Sequence, residues 1–284
     1  MSKFPIYRVA GTKDRIIQDD VTGVVDKGWD EIPDLGRCLV KFGDDLFNEV
    51  WKEKIASELA ASLGIPTATY EFGELADGQK VILSPSYLHE NWAERSGKLC
   101  LIDERQNLYT IENVLNTIDR RNLALPDLRL PPSIKSSSDL FTGYLLFDYL
   151  IANGDRHSKN WGIQIDPISG REELLPLYDC GFSMRFANSR NQGSEYLRWY
   201  TEDLETAFVS ETNFPIQMRT IVKKLIQIKP DAVKAWRERI EAIEREFIVG
   251  LFTRIPDGWI KESQISPAIA LIDFNRQQGD FSWV

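Results

Sequence analysis

The segment from Asn153 to Gly181 constrains the fold of this chain more than any other part of the sequence. It starts with a polar stretch, residues 153–160, and ends with residues 177–181, which contain the acidic residue Asp179. Between them lie two short apolar runs, residues 161–165 and 174–177, separated by a turn that contains Pro167 and Gly170. Two such runs around a turn predict a β-hairpin, and this hairpin carries polar side chains at each end.

The polar residues at the two ends have the spacing of a phosphate-transfer site. Four residues separate Asp155 from Asn160, as in the kinase catalytic loop, where the aspartate orients the acceptor hydroxyl and the asparagine binds magnesium. Asp179 stands where a second magnesium ligand belongs, and oxygen ligands suit this cation. Each residue alone could also be a turn or hairpin residue. The hypothesis of a nucleotide site therefore rests on all three together with the hairpin.

Composition excludes several other classes of protein. The chain has 284 residues, 43% of them apolar, and a net charge of −9, so it can build a full core and no nucleic-acid partner is expected. No apolar run approaches a membrane span, and the N-terminus lacks an apolar signal core, which predicts a cytoplasmic protein. Cys38, Cys100 and Cys180 are odd in number and widely spaced, as expected of reduced thiols.

Histidine chemistry is equally limited. Only His89 and His157 are present, too few for a multi-histidine metal centre. A Ser-His-Asp hydrolase would depend on His157 alone, and no Gly-x-Ser-x-Gly motif accompanies it.

The order of predicted elements indicates an α+β chain with two lobes. A helix from Phe47 to Leu63 has apolar residues every four positions and ends at Gly64. Beyond Leu88 helices dominate, and an apolar stretch capped by Asp139 predicts a buried central helix. Further helices are predicted at 214–228 and 230–252. The β-prone runs of the first lobe are residues 7–9, 16–17, 24–25, 38–42, 69–72 and 80–83.

This organisation predicts a two-lobed protein-kinase-like fold. Residues 1–88 form a small antiparallel β lobe with one helix that binds nucleotide, and residues 89–284 form a larger, mainly helical catalytic lobe. Lys41, at the end of the strand 38–42, is the candidate phosphate-binding lysine. The following helix offers Glu49 and Glu53, one turn apart, as its carboxylate partner.

The phosphate-binding loop has no standard motif. Neither Gly-x-Gly-x-x-Gly nor Gly-x-x-x-x-Gly-Lys-Ser/Thr occurs in the first lobe. A looser loop that carries Thr12 or Thr22 could still bind phosphate through backbone N–H groups.

With these residues assembled, the chain resembles the HipA-like Ser/Thr kinases of bacteria, whose catalytic loop has the form Asp-x-His-x-Lys-Asn. Residues 155–160 have this form, which is also similar to the loop of phosphoinositide lipid kinases. The likeness extends over Lys41, residues 48–54, residues 63–66, residues 82–88 and residues 177–179. Cys180 replaces the aromatic residue of a typical Asp-Phe-Gly, a change that is tolerated among relatives. The N-terminal subdomain of full-length HipA toxins is also expected to be absent.

The resemblance implies a role for each residue that matches the motif, and it implies ATP and Mg²⁺ as cofactors. Asp155 would be the catalytic base, Asn160 and Asp179 the magnesium ligands, and Lys41 the phosphate contact with Glu49 as its partner. The resemblance also implies that Ser84, Ser86 and Tyr87 bind the cofactor and form the hinge that faces adenine. His157, expected at the cofactor, would brace the catalytic loop by hydrogen bonding, and Lys159 would neutralise charge on the transferred phosphoryl group as a nearby cation.

The expected acceptor is a Ser or Thr of a protein, with an unidentified regulator or antitoxin-like protein as a further partner. Autophosphorylation is expected on a hydroxyl near the lid or after Asp179. The candidates are Thr12, Thr22, Ser183, Ser189 and Ser194. Two alternatives remain open: a lipid or small-molecule kinase, and a pseudokinase that binds nucleotide or a partner without turnover.

Overall fold

The computed structural model describes residues 2–17, 26–43, 50–185 and 194–278. The strands are β1 Ile6–Val9, β2 Lys27–Ile32, β3 Gly36–Phe42, β4 Glu71–Leu75, β5 Lys80–Pro85, β6 Ala93–Ser96, β7 Gly162–Ile165, β8 Glu172–Leu174, β9 Glu205–Val209 and β10 Pro215–Gln217. The helices are α1 Lys13–Ile16, α2 Val50–Ser62, α3 Gly97–Asp103, α4 Ile111–Arg121, α5 Ser137–Leu150, α6 Ser194–Glu202, α7 Met218–Ile228, α8 Pro230–Glu241, α9 Arg245–Thr253 and α10 Glu262–Gln277.

A five-stranded sheet of order β1-β4-β5-β3-β2 forms the first lobe. Its pairs are antiparallel except β1 with β4, which are parallel. The residues of β3 alternate between the two faces, as expected of a strand. Cys38, Val40 and Phe42 are buried in a small apolar cluster on one face, so Lys41 lies on the opposite face.

The prediction of a strand at residues 16–17 is wrong. Residues 13–16 form the single helical turn α1, and Ile16 is buried in the cluster on the outer face of the sheet. Burial of this side chain overrides the β-propensity of two adjacent isoleucines. The run 24–25 lies outside the described residues.

Helix α2 is buried on almost all sides, because the sheet covers one face and the second lobe covers another. Trp51, Ile55 and Leu59 are fully buried, and the Trp51 ring lies 5.8 Å from that of Phe252 in α9. The predicted end of the helix is confirmed: Gly64 follows α2 with a φ of 73°, the left-handed conformation in which glycine commonly ends helices. The predicted start at Phe47 lies outside the described residues.

Helix α5 is the predicted central helix of the second lobe, and α4, α7, α8 and α10 pack around it. Its cap is Ser136, whose hydroxyl accepts the backbone N–H of Asp139 while the Asp139 carboxylate accepts the backbone N–H of Ser136. Asp139 is thus the third residue of a capping box rather than the cap itself.

The hairpin of β7 and β8 is confirmed. The sequence analysis missed β6, which adds a third strand to it, and the hairpin of β9 and β10. The helix predicted at 214–228 consequently begins only at Met218, and the stretch 230–252 contains two helices, α8 and α9. No helix among the described residues is long and apolar enough to cross a membrane. The division of the lobes at residue 88 stays a prediction.

Candidate active site

The Lys41 side chain joins the small lobe to the loop after β8. Its Nζ lies 2.9 Å from Glu53 Oε1 and 3.0 Å from Asp179 Oδ1. The Lys41 and Glu53 side chains are 14% and 4% exposed, whereas that of Asp179 is 40% exposed. The two carboxylates hold the ammonium in one position, and the Asp179 carboxylate remains open to the cleft.

These contacts keep Lys41 and Asp179 charged at neutral pH. Burial favours the neutral amine of Lys41, but Asp179 and Glu53 outweigh burial and raise its pKa well above the ordinary value. Lys41 is the main reason why the pKa of Asp179 falls to about 2. Burial raises the pKa of Glu53, and the nearby Lys41 only partly offsets it.

Glu53 is the carboxylate partner of Lys41 among the described residues of α2. Glu49, the partner that the resemblance implies, lies outside the described residues. The second oxygen of Glu53, Oε2, accepts the backbone N–H of Cys180 at 2.9 Å. One carboxylate therefore connects the helix, the strand that carries Lys41 and the loop that carries Asp179.

Asp179 adopts an uncommon backbone conformation. Its φ is 57°, the left-handed region that non-glycine residues enter at a cost of about 1–3 kcal/mol, often at functional sites. Its backbone N–H donates to the Tyr70 hydroxyl at 3.1 Å, and Lys41 Nζ lies 5.4 Å from the centre of the Tyr70 ring. Tyr70 and Lys41 thus hold the main chain and the carboxylate of Asp179 in place.

The catalytic loop, residues 153–160, follows α5 directly. Gly154 is required there, because a Cβ at this position would lie 2.5 Å from the Glu205 carbonyl oxygen in β9. The Gly154 carbonyl also accepts the backbone N–H of Ala207 at 2.9 Å. The β9–β10 hairpin therefore packs against this loop and supports it.

Asp155 and Asn160 are joined through the main chain of Asp155. Asn160 Nδ2 donates to the Asp155 carbonyl at 2.8 Å, and the backbone N–H of His157 donates to the same oxygen at 2.7 Å. Because a carbonyl only accepts, the amide nitrogen of Asn160 must face it, and Oδ1 is the atom left for a cation. Burial raises the pKa of the half-buried Asp155 carboxyl, His157 opposes this shift, and the negative charge of Asp179 adds to it.

A single buried arginine fixes this loop from the interior. Arg156 is 2% exposed and donates to both carboxylate oxygens of Asp148 in α5, at 2.8 and 2.9 Å. It also donates to the carbonyls of Asn160 and Tyr178 at 2.8 and 2.6 Å and to Cys180 Sγ at 3.4 Å. Burial alone would lower the pKa of the guanidinium, but Asp148 outweighs it and keeps Arg156 charged.

The sequence analysis missed Arg156 and Asp148. A signal was present, because Asp148 is the one charged residue in the apolar part of α5, between Leu140 and Ile151. A charge in a buried helix needs a partner of opposite sign, and the adjacent loop offers Arg156.

His157 and Lys159 lie in the same loop. The backbone N–H of Lys159 donates to His157 Nδ1 at 3.2 Å, and the His157 carbonyl accepts the backbone N–H of Asn160 at 2.8 Å. These contacts are those of a loop brace. The Lys159 side chain is exposed, and its role toward a phosphoryl group stays a prediction.

The predicted hinge begins at the end of β5, which contains Ser84. Ser84 is buried opposite Leu39 of β3, and Ser86 is exposed with its backbone N–H bound to the Arg37 carbonyl. The Tyr87 ring stacks on that of Tyr178, with centroids 5.6 Å apart and an interplanar angle of 16°. Tyr87 thereby contacts the loop that carries Asp179, and the role of these three residues toward adenine stays a prediction.

The oxygen ligands present fit a magnesium ion that arrives with phosphate. The described residues contain no group of three or more His, Cys, Asp and Glu side chains that could hold a metal ion. Asp179 supplies a charged, partly exposed carboxylate and Asn160 an amide oxygen, and magnesium is commonly bound by one or two protein ligands plus substrate phosphates. The donor set therefore favours a cation that binds together with nucleotide.

Comparison with known proteins identifies the family. A family model described as the HipA-like C-terminal domain matches residues 9–246. The chain belongs to this family. Membership supports a kinase-like function and agrees with the resemblance seen in the sequence. No curated protein matches the sequence of the chain.

Solved structures of kinase-like proteins share this family's fold. A Helicobacter pylori proinflammatory kinase, CtkA, aligns with a TM-score of 0.74 and 15% identity over 97% of this chain and 95% of CtkA. HipA of Shewanella oneidensis MR-1, from a toxin–antitoxin system and in complex with HipB and operator DNA, aligns with a TM-score of 0.62 and 14% identity. That alignment covers 92% of this chain and 64% of HipA. The α+β, kinase-like fold class is thereby confirmed.

Proposed function

We propose that this chain is an ATP- and magnesium-dependent phosphotransferase whose acceptor is a Ser or Thr hydroxyl of a protein. The observation that carries the proposal is the contact of Lys41 with both Glu53 and Asp179, at 2.9 and 3.0 Å. It holds a candidate phosphate-binding cation and a candidate metal ligand side by side. Preorganised charge of this kind is the main means by which kinases stabilise the transferring phosphoryl group.

The proposed reaction is an in-line displacement at the γ-phosphorus of ATP. The acceptor oxygen forms a new bond to phosphorus, the bond to the bridging oxygen breaks, and ADP leaves with the bonding electrons. Asp155 accepts the hydroxyl proton. Because burial raises the pKa of this carboxyl, it is a better proton acceptor than an ordinary exposed aspartate.

The remaining site residues would position the nucleotide and neutralise the charge of its phosphates. Asn160 and Asp179 would hold magnesium, which when bound would neutralise charge on the phosphate oxygens. Lys41 would contact the phosphates, and Lys159 offers a further cation beside Asp155. Ser84, Ser86 and Tyr87 would line the adenine position.

The structure narrows the candidates for autophosphorylation. Ser183 is fully buried, so the expectation that it is an exposed acceptor is wrong for the folded protein. Thr12 is exposed and its hydroxyl forms no capping hydrogen bond to α1. Thr22 and Ser189 lie outside the described residues, as does the side chain of Ser194.

The proposal extends to partners. The HipA structure that aligns with this chain contains HipB and operator DNA, which supports an antitoxin-like regulator for this chain as well. We place its action in the cytoplasm, where ATP and protein substrates are available.

The decisive experiment is incubation of the purified protein with magnesium and γ-labelled ATP, followed by mapping of the label. Ser or Thr phosphate on protein, absent from Asp155→Asn, is the expected result. Label on phosphoinositide vesicles without protein phosphate would replace the proposal by a lipid kinase. Nucleotide binding without any transfer would replace it by a pseudokinase.

A further inference from the structure

Two lysines face each other across neighbouring strands of the small lobe. Lys27, the first residue of β2, is paired directly with Lys41 of β3. Side chains of directly opposed residues in an antiparallel pair lie on the same face with Cβ atoms about 4.5–5.5 Å apart. Like charges in this arrangement destabilise a sheet, so the pair is unfavourable unless an anion lies near it.

The two lysines differ in how their charge is compensated. Lys41 has two carboxylate partners, Glu53 and Asp179. Lys27 has no carboxylate within ion-pair distance among the residues that the structure describes. The cleft therefore contains a partly buried cation that forms no ion pair with a carboxylate of the described residues.

The surroundings of Lys27 place it at the candidate active site. Burial lowers the pKa of Lys27, and the next largest cause is the positive charge of Lys41. Asp179, Glu53 and Lys159 also act on it. All four of these charged residues belong to the site described above, so the Lys27 ammonium shares their cleft.

The ligand that suits two adjacent ammonium groups is a polyphosphate. The first lobe has no glycine-rich or Walker-type motif, so the backbone nests that hold phosphates in other kinases are not encoded in their usual form. A lysine acts as a point charge toward phosphate and forms charge-assisted hydrogen bonds with it. Lys27 offers such a contact on the strand next to Lys41.

We propose that Lys27 is a second phosphate-binding residue of the nucleotide site, which contacts the ATP phosphates beside Lys41 and replaces part of the role of a glycine-rich loop. This inference rests on the proposed function. It assigns Lys27 to phosphate binding and makes no claim on the acceptor.

The test is binding of three ligands to Lys27→Met, Lys27→Arg and the wild type, measured by calorimetry with magnesium present. The ligands are ATP, inorganic tripolyphosphate and adenosine. Lys27→Met is expected to weaken ATP and tripolyphosphate binding about tenfold, the effect of losing one charge-assisted contact, and to leave adenosine binding unchanged. Lys27→Arg is expected to retain most of the affinity. Lys234→Met, which removes an exposed lysine from α8, is the matched control and is expected to bind all three ligands normally.

The outcomes separate this inference from the proposed function. Wild-type ATP binding with no loss in Lys27→Met, or with an equal loss for adenosine, overturns the role of Lys27 and leaves the kinase proposal standing. Binding of tripolyphosphate that depends on Lys27, without any binding of ATP, overturns the nucleotide function and with it the contact of Lys27 with ATP. A wild-type protein that binds neither ATP nor tripolyphosphate overturns both the role of Lys27 and the proposed function.

A fold defect is excluded by a second measurement. Lys27→Met removes repulsion between two like charges, so the unliganded variant is expected to melt no lower than the wild type. A lower Tm would assign Lys27 to the packing of β2 and contradict the proposal.

Discussion

The two sides of the cleft are held together by different physical means. On the catalytic-loop side, the Arg156 guanidinium is 2% exposed and binds a carboxylate, two carbonyls and a thiol in the interior. On the small-lobe side, Lys41 reaches Asp179, whose carboxylate is 40% exposed. Salt screens buried pairs much less than exposed ones. The side that we propose to bind the acceptor is therefore preorganised by the fold, whereas the side that we propose to bind phosphate is open to control by ions and ligands.

Removal of Arg156 is the most damaging change that this comparison predicts. Arg156→Met leaves the Asp148 carboxylate buried with the Asn153 amide as a hydrogen-bond donor but without a positively charged partner, which we expect to reduce the free energy of unfolding by about 3–5 kcal/mol. Urea unfolding followed by circular dichroism measures it. Arg198→Met, at a side chain that is 52% exposed, is the control and should change stability by less than about 0.5 kcal/mol. Similar stabilities of the two variants would refute an interior anchor for the loop.

Asp155→Asn should abolish transfer and spare binding, because Asn160 and His157 bind the main-chain carbonyl of residue 155, which the substitution keeps. We expect a loss of turnover of about a hundredfold or more with an almost unchanged Kd for magnesium–ATP. Asp179→Ala should instead weaken magnesium-dependent nucleotide binding. Turnover assays and calorimetry on both variants decide it. Parallel losses of binding and turnover in the two would contradict the separation of roles.

Glu53→Gln tests how much the contact between Lys41 and Glu53 contributes on the small-lobe side. The amide keeps the size of the side chain and can still accept the Cys180 N–H, but it no longer offers a charge to Lys41. We expect turnover to fall about tenfold, since Lys41 keeps Asp179 as a partner. Glu49→Gln, the same change one turn earlier, is the matched control. A larger effect at Glu49 would restore the partner that the family resemblance implies.

The smallest predicted effect is on thermal stability at pH 7, where substitutions of Asp155 and Asp179 are expected to shift the Tm in opposite directions. The pKa of Asp155 is raised, so its protonated form stabilises the fold at low pH and this contribution is lost as the pH rises through the raised pKa. The pKa of Asp179 is lowered to about 2, so its ionised form stabilises the fold above the ordinary value near 4 and is lost as the pH falls toward 2. At pH 7, without metal, Asp155→Asn should raise the Tm slightly and Asp179→Asn should lower it. Shifts of the same sign would show that the two carboxylates do not differ as described.

The positions of the loop at residues 153–160 and of the hairpin could be predicted because their information is local. Asp155, Asn160 and Asp179 lie within one short segment, and the turn residues Pro167 and Gly170 define the hairpin between them. Lys41 followed from its position at the end of one strand. These features depend on spacing along the chain, which a sequence displays directly.

Features that depend on packing between distant segments were harder to predict. Strand β6 carries Glu94 and Arg95 and has no apolar alternation, so only its pairing with β7 reveals it. The choice between Glu49 and Glu53 depends on how α2 is rotated against the sheet. The two residues are one helical turn apart in the sequence, and their spacing does not show which of them faces Lys41. Strand β9 did carry a signal, since Thr206 and Phe208 alternate as buried residues, and a search for period-two patterns would have found it.

The buried thiol of Cys180 makes the loop after β8 accessible to kinetic measurement. It is covered by the fold, contacts Arg156, and has its pKa raised by burial to about 12, so it is almost entirely protonated at neutral pH and unreactive toward alkylating reagents. Labelling of Cys180 requires the loop to separate from Arg156 and Glu53. Its alkylation rate, resolved from those of Cys38 and Cys100 by peptide mass, therefore reports how often this loop opens. If nucleotide holds this loop against Arg156 and Glu53, it should slow the alkylation rate. An ordinary alkylating reagent would then measure how ligand binding changes the rate of loop opening.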